Sequence, residues 1–158
     1  MVGFEGPEKK RKVLSSMLTL AALIGGAVLA TAAITTYFRA QDPVNQCIAD
    51  PTSEPYQVSV PIALTVDGAP GVVPEDVGIS ETCTRPVHTI EENVIHVAYG
   101  RPHDFTLGHF LYYWLGNDLL KYETKVYVND TLHTSGDFRD IVLRQGDSLR
   151  IAFITKTQ

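Results

Sequence analysis

Cysteine and histidine supply the only concentrated donor chemistry in this chain, and most of it falls in one stretch. Cys83 is followed by His88, His96, His103 and His109, with Glu91 and Glu92 between the first two histidines. Thiolate and imidazole together suit zinc or copper, so Cys83, His88 and His96 form a candidate metal set with either ion as its cofactor. The spacing weakens that reading. Structural zinc sites present paired ligands at close spacing, whereas Cys83 and His88 stand singly. A blue-copper site usually adds an axial methionine, and the two methionines here are Met1 and Met17, far from the stretch. Without a metal, His88 and His96 read as partly buried histidines bonded to backbone or to Glu91. Cys47 and Cys83 are the only cysteines, and in an oxidising compartment such a pair is expected as a disulfide. No G-x-S-x-G, phosphate loop or H-E-x-x-H occurs, so a catalytic role is not expected.

These residues need a scaffold, and hydrophobic periodicity supplies one. Val58, Val60, Ile62, Leu64 and Val66 alternate with smaller or polar residues up to an Asp67-Gly68 turn, the pattern of a strand with one buried face. Pro61 within it predicts an edge or a bulge. Residues 94–98, 125–128, 140–143 and 148–154 are further expected strands. Leu107, Phe110, Leu111, Trp114 and Leu115 follow the i, i+3, i+4, i+7, i+8 pattern of a helix over 106–115, with Thr106 as its N-cap and Gly116-Asn117 to end it. Strands, one helix, then strands predict an α+β domain over 57–158, with the helix packed on a mainly antiparallel sheet, β-grasp-like or alternatively a small β-sandwich. Residues 39–56, with Asp42-Pro43, Asp50-Pro51 and Glu54-Pro55, read as a linker.

The other end of the chain is different in kind. Residues 13–38 contain no charge, and 26 helical residues reach about 39 Å against a hydrocarbon core of about 30 Å, enough for a transmembrane helix. Ala30-Thr31-Ala32 has the form of a signal-peptidase site, but the apolar run is longer than a signal peptide needs. Lys9, Lys10, Arg11 and Lys12 precede it in a basic tail, 1–12, which predicts an N-terminus inside the plasma membrane and the C-terminal domain outside. Ala22, Gly26 and Ala30 recur every four residues on one helix face, a surface on which another helix packs closely. Asn129-Asp130-Thr131 is an N-glycosylation pattern, meaningful on the outer side. Residues 39–158 hold nine basic and sixteen acidic residues, which excludes a phosphate-backbone partner and leaves the lipid bilayer and other membrane-protein subunits as expected partners.

Residues 83–114 also carry a pattern of their own: Cys83, Val87-His88-Thr89, Ile95-His96-Val97, Phe105-Thr106-Leu107-Gly108, Phe110 and Trp114. This resembles a family of small, mostly uncharacterised archaeal and bacterial membrane-anchored proteins. Their shared run is Cys, Leu-His-Thr-His-Asp, Ile-His-Val-Glu, then Phe-Thr-Leu-Gly-x-Phe-Phe-x-x-Trp. Ile90 stands where the family places its second histidine. The resemblance implies a membrane-anchored scaffold built on the Phe-Thr-Leu-Gly helix and its neighbouring strands, and the family's histidines look like a metal or redox site. The function expected is an accessory interaction module, or alternatively an extracytoplasmic metal-handling or redox domain using Cys83, His88 and His96.

Overall fold

The computed structural model describes residues 23–37 and 42–156, and the chain divides into two units, Met1–Asp42 and Pro43–Gln158. In the first unit, residues 23–37 form one helix, α1. Every side chain on it is exposed, including Leu23, Ile24, Val28 and Leu29. The expected span 13–38 lies partly outside the described residues. Among the described residues no helix is long and apolar enough to cross a membrane.

In the second unit the alternation of Val58, Val60, Ile62 and Leu64 produces β1, Tyr56–Val66, with those four side chains buried. The remaining strands are β2, Ala69–Gly71; β3, Ile79–Ser80; β4, Cys83–Thr84; β5, Val87–His88; β6, Val94–Tyr99; β7, Tyr122–Val128; β8, Thr131–Leu132; and β9, Leu149–Thr155. Seven of them make one mixed sheet in the order β5-β6-β1-β9-β7-β8, with β2 also on β1, while β3 and β4 form a separate ribbon. The chain returns to lay β9 parallel to β1; the other strand pairs are antiparallel. The unit is therefore α+β.

Pro61 lies in the middle of this central strand, contrary to the expectation of an edge, and the register explains why it is tolerated. The Ile62 N–H donates to the Asn93 carbonyl on the β6 side, so neighbouring odd-numbered residues direct their N–H groups the other way. On that side β9 begins only opposite Ile62, and the Ser59 N–H is taken by Gln145 Oε1. The donor that proline lacks would have had no strand to meet.

The expected helix forms as α2, Leu107–Trp114, and it buries Leu107, Phe110 and Leu111. They join Ile95, Val126, Ile151 and Phe153 in the core, and Trp114 stacks near Phe153 with ring centroids 6.1 Å apart. At its start the Thr106 N–H donates to His109 Nδ1, which makes His109 a capping residue. Gly116 follows at φ +51°, the left-handed position that closes a helix. Gly108 has a packing reason: a Cβ there would stand 2.7 Å from the Arg139 carbonyl oxygen.

Two further expectations are corrected. Residues 140–143 are not a strand: Phe138–Asp140 is a 3-10 turn capped by Asp137, and only Val142 bridges, to Thr106. This segment clamps the start of α2 instead, through Leu107 N–H to Ile141 O and Leu143 N–H to Phe105 O, both 2.8 Å. The supposed linker also belongs to the folded unit from Pro43 onward. Val44 and Ile48 are buried, Tyr113 Oη donates to the Val44 carbonyl, and Arg85 Nη1 donates to the Asn45 carbonyl.

Candidate functional site

Cys83 sits on β4 and is bonded to Cys47, closing the expected disulfide across 36 residues. The bridge acts with the Ile48 N–H, which donates to the Thr84 carbonyl at 2.8 Å, to bind the early segment to the ribbon. A cystine sulfur offers no thiolate, so Cys83 leaves the Cys83–His88–His96 metal set. Among the described residues no three His, Cys, Asp or Glu side chains stand ready around one point to hold a metal.

The two histidines, by contrast, are brought together. Pairing of β5 with β6 sets His88 directly opposite His96, with ring centroids 6.1 Å apart and planes 28° from parallel. Spacing along the chain does not show this; the antiparallel register creates it. His88 is wholly buried. Its Nδ1 lies 2.9 Å from the Arg85 carbonyl oxygen, which can only accept, so Nδ1 carries the proton and Nε2 keeps its lone pair. Burial, opposed by that carbonyl and aided by His96, holds the His88 pKa below the ordinary 6.5, so the ring is neutral at pH 7.

His96 is held through Nδ1, 3.1 Å from Ser59 Oγ, a hydroxyl that can donate to it or accept from it. Its Nε2 is 3.5 Å from Glu91 Oε1, longer than a well-formed hydrogen bond. Among the described residues, Nε2 of His88, of His96 and of His133 are buried without a hydrogen-bond partner, and the first two share one site. Thr89, the residue beside His88, shows how the fold treats a buried polar group elsewhere: its hydroxyl accepts from Val77 N–H and donates to the Pro74 carbonyl. Both histidines line a cavity of about 60 Å³ together with Ser59, Gln57, Thr52 and Ile90.

Ser59 escaped sequence reasoning. Its only signal was a polar residue at an outward position of an alternating strand. Of the remaining histidines, His103 packs edge-on against Phe105 at 4.8 Å.

Asn129 is exposed in the β7–β8 turn, at φ +50°. Its amide is engaged, however: Nδ2 donates to Asp147 Oδ1 and Oδ1 accepts the Ser148 N–H. On α1, Gly26 and Ala30 are exposed, and a Cβ at Gly26 would meet nothing within 4 Å. Ala22, the third member of that row, lies outside the described residues. The hydroxyls of α1 turn back onto their own helix: Thr31 to Ala27 O, Thr35 to Thr31 O and Thr36 to Ala32 O. Neither a family model nor a curated protein nor a solved structure matches the chain.

Proposed function

We propose that the chain is a single-pass membrane protein whose folded domain is an extracytoplasmic, non-catalytic interaction module, an accessory subunit of a membrane or cell-surface complex. The observation that carries this reading is the surface of α1. A helix with exposed leucine, isoleucine and valine, no charge, and threonine hydroxyls satisfied by carbonyls of the preceding turn has no threonine hydroxyl that demands water, and Tyr37 at its end is a residue that suits a membrane interface. Lipid or another helix is the solvent that suits it, and the Gly26 and Ala30 positions leave room for close helix approach. The Cys47–Cys83 disulfide is in keeping with an oxidising compartment outside the cytoplasm. Within the domain, the β2-β1-β9-β7-β8 order, with α2 between the first hairpin and the later strands, favours a β-grasp-like reading over a small sandwich.

Protease added to intact cells tests the topology, and mild-detergent extraction tests the association. The reading predicts that the domain is digested from outside and that the full chain co-purifies with other membrane polypeptides. A domain that is protected until the cells are lysed, or a chain that always extracts alone as a monomer, overturns it.

A further inference from the structure

We infer that His88, His96 and Glu91 form a seat for one borderline divalent cation, zinc or copper, at the β5–β6 end of the sheet. The inference does not depend on membrane anchoring.

Its basis is an excess of acceptors. The two Nδ1 atoms are occupied by a backbone carbonyl and a serine hydroxyl, and in metal sites it is this second contact that fixes an imidazole so that its other nitrogen can ligate. What remains is the buried Nε2 lone pair of His88 and the buried Nε2 of His96, which is a lone pair in the tautomer whose Nδ1–H donates to Ser59 Oγ. Neither meets a partner among the described residues, and a carboxylate lies beside the second. Buried polar atoms are nearly always satisfied, and this fold satisfies the adjacent Thr89 on both counts. Two imidazoles and a carboxylate are a donor set for borderline ions rather than for calcium or magnesium.

The distances fit. Two ligands bonded at about 2.0–2.1 Å to a tetrahedral ion lie about 3.3 Å apart, and His96 Nε2 is 3.5 Å from Glu91 Oε1. Two imidazoles on one ion place their ring centres about 5.2 Å apart at a tetrahedral angle and about 6.4 Å apart when linear; the observed 6.1 Å corresponds to an angle of about 145°, so the two rings must close by about 0.9 Å to hold a tetrahedral ion. The cavity of about 60 Å³ that the two histidines line has room for an ion, and Glu91, which is not part of its lining, reaches it from the outside. The Glu91 side chain is 66% exposed, and its rotation completes a cluster that is not pre-assembled. The set differs from Cys83–His88–His96: the strand register supplies its two nitrogens, and a carboxylate replaces the sulfur lost to the disulfide.

The test uses the full chain in detergent, purified without a histidine tag and dialysed first against Zn2+ and separately against Cu2+. Wild type is expected to retain one ion per chain, and the Cu2+ form to show nitrogen hyperfine splitting in its electron paramagnetic spectrum. His88 is wholly buried and its removal endangers folding, so the decisive variants are His96→Gln and Ser59→Ala. The first is expected to abolish the bound equivalent. The second removes only the hydroxyl that orients His96 and is expected to weaken binding roughly 10-fold. His103→Ala is expected to bind as wild type does. A wild-type chain that emerges metal-free shows that a water donating to both nitrogens fills the site, and the proposal fails. It fails equally if His96→Gln retains full affinity, or if the bound copper shows no nitrogen coupling.

Discussion

Helix α1 and the sheet domain solve the same problem, what to do with polar groups, in opposite ways. On α1 the apolar side chains face outward and the hydroxyls of Thr31, Thr35 and Thr36 return to carbonyls of the turn before them, so these groups are satisfied within a single element. In the domain the apolar side chains face inward and polar groups reach between segments distant in sequence: Thr89 to Pro74, Tyr113 to Val44, Ser59 N–H to Gln145. The first pattern makes sense in a solvent without hydrogen bonds and the second in water. On the function proposed above, the same chain carries surfaces suited to two media.

That contrast can be broken most severely in the core. Phe110→Ala empties a fully buried aromatic site beneath α2 and is expected to cost about 3–5 kcal/mol of domain stability, whereas Leu29→Ala on α1 leaves the domain's melting transition where it is. Thermal denaturation of the two variants side by side measures the difference. Next in size is Cys47→Ser. Opening a 36-residue loop is expected to cost about 4 kcal/mol on the chain-entropy account, and reduction of wild type should lower the melting temperature by a similar amount. Gly108→Ala is expected to cost roughly 1–3 kcal/mol, because its methyl group enters the space of the Arg139 carbonyl, while Gly26→Ala on α1 meets nothing.

The smallest effect is one of pH. His88 has a folded-state pKa below the ordinary 6.5, so the unfolded chain takes up the proton first. Its contribution is complete above about pH 6.5 and is lost as pH falls from there through the folded-state value. Melting temperatures of the chelator-treated protein, followed from about pH 8 to pH 5, should be flat and then decline, and His88→Asn should flatten the decline.

What could be read in advance follows from how local each signal is. The α2 stripe and the β1 alternation are periodicities within one element, and both appear where they were expected. The disulfide needed only a count of two cysteines and a compartment. The parallel return of β9 to β1 depends on residues far apart in sequence, and no local pattern encodes it. The segment from Pro43 looks like a linker because its prolines and acidic residues dominate its composition, yet Val44, Ile48 and a cystine decide where it goes. Residues 140–143 have a strand's composition, but Asp137 and Asp140 favour a turn, and the segment's backbone is spent on the start of α2. At the histidine site His88 and His96 were visible by type. Their opposition across two strands, and the role of Ser59, emerge only from register.

The central claim is that α1 belongs to a stretch held in lipid. Alkaline carbonate washing of membranes from cells producing the full chain tests it directly. The account predicts that wild type stays with the membrane pellet, and that Val28→Lys and Leu29→Lys together, at about 2.5–3.5 kcal/mol each near the centre of a span, release the chain into the wash. Wild-type protein recovered in the carbonate supernatant would contradict it.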